Sequence, residues 1–174
     1  MPEIWPPEWL DSAHWYYSRI DDGSGRGVNI YAADDAKELN AESPGRLCLR
    51  LEPGARQIRV LDANRQQDGA IHREGFVPGL RYTMRRNGKP VWVLSVRSIV
   101  RKRYSLRTAD NEVWTFETPF FWWQQLFGTL GGAPRLVGGV GPTTWFWLLW
   151  FEPGRDTVDV LAAVAFLHRL WWRW

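Results

Sequence analysis

Asp156-Thr157-Val158-Asp159-Val160-Leu161-Ala162-Ala163-Val164-Ala165-Phe166-Leu167-His168-Arg169-Leu170-Trp171-Trp172-Arg173-Trp174 is the stretch on which the fold turns. From Val160 to Leu167 every position is apolar. A helix apolar all round is buried, either in a protein core or in a membrane. Asp156 is the expected N-cap, and Asp159 places a second negative charge in the first turn, where the helix dipole favours it. From Thr157 to Trp174 the helix would be about 27 Å long. A membrane span needs about 20 uninterrupted apolar residues, and Asp159, His168, Arg169 and Arg173 break this run. The helix is therefore expected to be enclosed by protein.

The residues before it supply the enclosure. Turn signals recur at intervals of about 8–12 residues, the spacing of an all-β sandwich or barrel. The strongest hairpin runs from Leu80 to Arg85, turns at Asn87-Gly88 and returns through Val91 to Leu94. Asn-Gly supplies the two positive-φ positions of a tight type I′ turn. Further turns are expected at Asp34-Asp35, Asp62-Ala63-Asn64 and Asp110-Asn111. Strands are predicted near 14–19, 27–33, 36–42, 45–51, 56–61, 67–75, 79–85, 90–97, 102–107, 112–117, 134–138 and 144–151. The last, Thr144 to Phe151, is apolar on both faces and should be covered on both. A closed barrel of about twelve antiparallel strands has more lumen than its own side chains fill, so the apolar helix is the natural plug. The expected fold is mostly β: such a barrel around a buried C-terminal helix.

Two organisational features lie outside this scheme. Residues 1–12 form a Trp/Pro-rich lead-in, expected to dock through Trp5 and Trp9, and residues 13–174 form one domain. Thr118-Pro119, followed by large apolar residues up to Gly128, predicts a short helix near 119–127, with Pro at its first position and Gly as C-cap. Gly131-Gly132, Gly138-Gly139 and Gly141 lack the Gly-Lys-Ser/Thr of a phosphate loop and are read as turns and bulges.

The chain has 174 residues, with 13 Trp and a formal net charge of +3. That small net charge hides a regional excess. Residues 75–109 contain no acid, yet they carry Arg81, Arg85, Arg86, Lys89, Arg97, Arg101, Lys102, Arg103 and Arg107. These are the candidate phosphate- or lipid-binding residues. Alternation places Arg81 with Arg85, and Arg101 with Arg103 and Arg107, so five guanidinium groups would converge if their strands were neighbours. Phe120, Phe121, Trp122 and Trp123 form one aromatic interface candidate. Trp171, Trp172 and Trp174, with Arg169 and Arg173, form another.

Little in the chain points to catalysis. His14, His72 and His168 make no His-x-x-x-His spacing, and no Cys-x-x-Cys or Gly-x-Ser-x-Gly occurs. Cys48 is the single cysteine; in Arg46-Leu47-Cys48-Leu49-Arg50-Leu51 the leucines share one face and Cys48 falls with the arginines. No enzyme activity and no cofactor are expected, and the only metal-ligand candidates are Asp156 and Asp159. Met1 to Pro7 has neither a basic n-region nor an apolar h-region. With one cysteine and no glycosylation sequon, a cytoplasmic setting, peripheral to a membrane or free of it, is expected.

Phe151 to Trp172, together with Arg59 to Asn64, Tyr82 to Val91 and Tyr104 to Val113, resembles the C-terminal domain of Tubby and its relatives, the phospholipid scramblases and the plant LURP-one-related proteins. The resemblance covers about residues 25–174. It implies a barrel of about twelve strands around a hydrophobic C-terminal helix, and phosphoinositide binding through basic side chains. The chain departs from the animal scramblases in lacking a cysteine-rich segment and in reducing the acidic calcium loop to Asp156 and Asp159. The expected function is non-enzymatic binding of anionic phospholipid or another phosphate-bearing ligand at a membrane surface. The alternatives are a nucleic-acid binder and a protein-interaction scaffold with exposed aromatic patches.

Overall fold

A computed structural model describes residues 7–20, 27–33, 45–75, 80–118, 125–140 and 146–173, with side chains described except at 140 and 171–173. Twelve strands precede one helix: β1 (His14–Ile20), β2 (Val28–Ala33), β3 (Arg46–Pro53), β4 (Ile58–Asp62), β5 (Gln67–Glu74), β6 (Arg81–Arg86), β7 (Lys89–Ser98), β8 (Arg103–Thr108), β9 (Val113–Glu117), β10 (Gln125–Leu130), β11 (Ala133–Val140), β12 (Phe146–Phe151) and α1 (Val158–Arg173). Each strand pairs antiparallel with the next, and β1 closes the barrel against β12, from His14↔Phe151 to Arg19↔Phe146. Closure removes the free edges through which sheets aggregate.

The lumen is filled by α1. Val160, Ala163, Val164 and Leu167 are buried, as are Ala162, Ala165 and Phe166. The alanines let the helix backbone lie close to the strands, and it packs nearest β1, β2 and β3. Phe166 meets Tyr82 edge-on at 4.7 Å between ring centroids. His168 stacks on Trp147 at 4.4 Å and is hydrogen-bonded through Nδ1 to the Ser18 hydroxyl at 2.8 Å. Among the described residues no helix is long and apolar enough to cross a membrane.

Turn chemistry follows the sequence closely. Asn87 and Gly88 both have positive φ, 51° and 75°, as a type I′ hairpin requires. The Asp62 carboxylate accepts from the backbone N–H groups of Asn64 and Gln66, closing β4 to β5. The helix start differs from expectation. Thr157 is the cap, its Oγ1 accepting from the Val160 N–H at 3.3 Å. Asp156 is unavailable for that role because His14 and Tyr16 hold its carboxylate.

The short helix expected near 119–127 is corrected over its last three residues. Residues 119–124 lie outside the described residues, but Gln125–Leu130 is strand β10. Leu126 and Gly128 face the lumen, so the period is two and Gly128 is no C-cap. Across β10 and β11 two lumen-facing leucines stand opposite glycines: Leu126↔Gly138 and Gly128↔Leu136. A Cβ on Gly128 would stand 2.9 Å from Leu136 Cβ and 3.0 Å from Phe116 Cε1. Gly138 is likewise a strand residue rather than a turn, while Gly131 and Gly132 do form the β10–β11 turn, with φ of 60° and 83°. The strand expected at 36–42 and the turn at Asp34-Asp35 lie outside the described residues, so β10 supplies the twelfth strand.

Two further differences concern which way side chains face. A register shift between Ile30 and Tyr31 pairs Ile30 with Leu49 and Tyr31 with Leu47. That bulge leaves Cys48 unpaired and packs it against the core instead of setting it with the arginines. On β12, Trp147, Leu149 and Phe151 face the lumen, whereas Phe146, Leu148 and Trp150 on the outer face are only half-buried. Trp15 covers Trp150 at 4.9 Å and Tyr17 covers Phe146 at 5.6 Å. The outer face is thus partly sheltered by neighbouring aromatics.

Two substitutions test this packing. Gly138→Val is expected to lower stability by about 1–3 kcal/mol through overpacking, because its Cβ would sit 3.0 Å from Leu126 Cβ and 3.2 Å from Leu149 Cδ2. Gly139→Ala, with only Trp150 at 3.5 Å, should cost far less in the same denaturant titration. Ala163→Arg should abolish folding by burying an unpaired charge; a soluble, cooperatively melting variant would show that the plug is not enclosed.

Candidate functional site

The nine basic candidates divide into distinct settings. On β6, Arg81 and Arg85 are exposed while Tyr82 and Met84 turn to the core. On β8, Arg103 and Arg107 are exposed while Tyr104 and Leu106 turn inward. β6 and β8 are not adjacent, so the two pairs do not converge directly: β7 lies between them. β6 and β8 are therefore about 10 Å apart. Outward on β7 are Val93 and Ser95, with Ser95 opposite Arg81 and Val93 opposite Arg107, whereas Val91, at the register shift against β6, packs into the core. The result is a strand of short neutral side chains flanked by guanidinium groups, with exposed Arg97 near one end. Arg101 belongs to the β7–β8 turn rather than to the strand that carries Arg103 and Arg107.

Among the described residues, the acids that pair with this surface lie on its borders. Glu74 of β5 lies 3.3 Å from Arg81 and 3.8 Å from Arg85. Glu117 of β9 lies 3.6 Å from Arg103. Lys89, Arg97, Arg101 and Arg107 form no ion pair among the described residues. Lys102 is half-buried, and desolvation lowers its pKa from the ordinary lysine value. Arg86 is drawn away from the basic face: it makes two hydrogen bonds to Asp68 and one, at 2.8 Å, to Asp159 at the start of α1. The Asp68 hydrogen bonds, reinforced by Asp159, raise its pKa against the opposing effect of burial.

That triad lies at the mouth where α1 enters, beside a cleft of about 490 Å³ lined by Cys48, Val60, Asp62, Asn64, Val158 and their neighbours. Nearby, Asp156 accepts from the Tyr16 hydroxyl at 2.5 Å and is bound to His14 Nδ1 at 2.7 Å. Burial alone would raise the Asp156 carboxyl, but these two hydrogen bonds outweigh it and hold its pKa below the ordinary value. Burial, with the adjacent Asp156, pushes the Tyr16 phenol far up. Burial also raises the Cys48 thiol, so its nucleophilic thiolate is disfavoured. Asp156 and Asp159, the two metal-ligand candidates, are engaged by different partners, and among the described residues no group of three or more His, Cys, Asp or Glu could hold a metal.

The aromatic candidates Phe120, Phe121, Trp122 and Trp123 lie outside the described residues, as does Trp174; the side chains of Trp171 and Trp172 are likewise not described. Arg169, expected with them at an exposed chain end, is buried. In the lead-in, Trp9 docks by donating its indole N–H to the Pro134 carbonyl at 2.9 Å. Sequence reasoning missed the Asp68–Arg86–Asp159 triad and the Tyr16–Asp156–His14 contact. Both join residues far apart in the chain, and only the inward alternation of Tyr16, Ser18 and Ile20 was available as a signal. No family model, no curated protein and no solved structure matches this chain.

The Asp156 contact makes a pH-dependent prediction. A carboxyl whose folded pKa is depressed contributes stability that is present above its unfolded value, about 3.9. That contribution is lost as pH falls through the lower folded value. Asp156→Asn should therefore melt below the wild type at pH 7, and the gap should narrow below about pH 4. A gap that stays constant across that range would show that Asp156 contributes through shape alone.

Proposed function

We propose that the protein is a non-enzymatic binding domain that engages anionic phospholipid or another phosphate-bearing ligand through the outer face of β6–β8. The observation that carries this reading is the arrangement of Arg81 and Arg85 on one side of β7 and Arg103 and Arg107 on the other, across a floor of short neutral side chains. Guanidinium groups bind phosphate oxygens through paired, charge-assisted hydrogen bonds. A spacing of about 10 Å across β7 leaves room for a phosphate to be approached from both sides. Glu74 and Glu117 stand on the far flanks of the arginine pairs, where they hold Arg81, Arg85 and Arg103 in place without occupying the floor. The resemblance to Tubby-type and scramblase-type domains points to the same ligand class and belongs to this proposal. Nucleic acid would be attracted by the same charge, and it serves here as the competing ligand.

The test is vesicle co-sedimentation with phosphoinositide-containing vesicles at low and high salt, beside duplex DNA. Each basic residue near an anionic surface contributes about 1 kcal/mol. Arg97→Glu/Arg103→Glu/Arg107→Glu should therefore weaken binding by about two orders of magnitude while melting like the wild type. Equal sedimentation of variant and wild type would remove the reading. Tight binding to DNA but not to vesicles would favour a nucleic-acid ligand.

A further inference from the structure

Among the described residues only four large apolar side chains are substantially exposed, and two are adjacent: Ile99 at 51% and Val100 at 79%, in the turn between β7 and β8. The turn is Arg97-Ser98-Ile99-Val100-Arg101-Lys102-Arg103, so an apolar tip projects between cations on both sides. Its backbone is closed upon itself. The Arg101 N–H donates to Ser98 Oγ at 3.1 Å, and the Lys102 N–H donates to the Ile99 carbonyl at 3.2 Å. Lys102 takes the positive φ, 44°, that lets the chain reverse. A turn that satisfies these polar groups internally loses less on leaving water.

We propose that the β7–β8 turn is a membrane-insertion tip: Ile99 and Val100 enter the interfacial layer of an anionic bilayer while Arg97, Arg101 and Arg103 remain at headgroup depth. The proposal rests on the phosphate-binding reading of the adjacent face and names its partner, a bilayer surface rather than a soluble phosphate. Charge complementarity argues for this occupant. An apolar protein partner would leave the surrounding cations desolvated, whereas a lipid interface supplies both an apolar layer and anionic headgroups at the depths where these side chains stand. The β7–β8 turn also lies at the barrel end opposite the mouth where α1 begins, since β7 runs away from the β6–β7 turn beside Arg86 and Asp159. The tip can therefore enter a bilayer while the cleft stays clear of it.

The experiment compares the wild type, Ile99→Ser/Val100→Ser and Arg97→Glu/Arg103→Glu/Arg107→Glu. The probes are phosphatidylcholine vesicles containing phosphatidylinositol bisphosphate and, separately, soluble inositol trisphosphate. The Ile99/Val100 variant is expected to bind inositol trisphosphate like the wild type but vesicles about tenfold more weakly. The charge variant should lose both. Undiminished vesicle binding by the Ile99/Val100 variant overturns the tip and leaves the basic-face reading standing. A wild type that binds inositol trisphosphate but not vesicles does the same. Loss confined to the Ile99/Val100 variant, with the charge variant unaffected, removes the basic face and, with it, the cation-flanked tip as proposed; binding to neither probe also overturns both. Should the Ile99/Val100 variant fail to fold, the wild type alone decides through a lipid monolayer. Its injection should raise the surface pressure and continue to do so in high salt, and no rise overturns the insertion.

Discussion

A closed sheet of twelve strands encloses a lumen wider than its own side chains can fill, and nearly every other feature answers that constraint. The answer is α1, and its composition is dictated by the space available. Ala162, Ala163 and Ala165 admit close approach of the strands, while Phe166 and Leu167 fill the wider gaps. Each larger side chain so buried contributes about 1.5–3 kcal/mol relative to exposure. The same demand for volume matching appears in the wall, where Gly128 and Gly138 stand opposite Leu136 and Leu126. Glycine is needed there because a neighbour already occupies the place of its Cβ, not because the backbone turns.

Filling the lumen with apolar groups pushes charge to the outer face and the mouths. The outer face of β6–β8 has basic residues and no acid because residues 75–109 contain none. Arg86 is the informative exception. By alternation it belongs with Tyr82 and Met84 on the lumen side, which would bury a charge, but its place near the mouth puts Asp68 and Asp159 within reach. The contact ties β5 and β6 to the first turn of the helix. Tyr16 and His14 tie β1 to Asp156, one residue ahead of the Thr157 cap. The entering end of the plug is thus held from separate parts of the wall by polar contacts at the rim, where water still tempers the cost of ionised groups.

The basic face and the apolar tip meet on the β7–β8 hairpin, with β6 adding Arg81 and Arg85 beside it. The four exposed arginines on β6 and β8 set a positive potential across β7, and the turn at its end carries the adjacent exposed pair Ile99 and Val100. A long antiparallel hairpin held in a closed barrel is a rigid support. Its tip can therefore project without the entropy loss that ordering a free loop would bring on binding.

The sequence by itself determined the all-β wall, the plugging helix and the Asn87-Gly88 and Asp62 turns. Each follows from local rules: alternation along a strand, an apolar run too short and too interrupted to span a bilayer, and turn residues suited to positive φ or to capping their own backbone. The tertiary structure alone decided Gln125 to Gly128, because whether Leu126 and Gly128 read as helix or strand depends on Leu136 and Phe116 across the sheet. It alone turned Cys48 to the core, through a bulge that no pattern within Arg46 to Leu51 foretells. It also divided the basic block into a face, a turn and an inward-bound Arg86. Those placements depend on which strands neighbour one another, and pairing partners distant in the chain are a property of the closed barrel, not of any local segment.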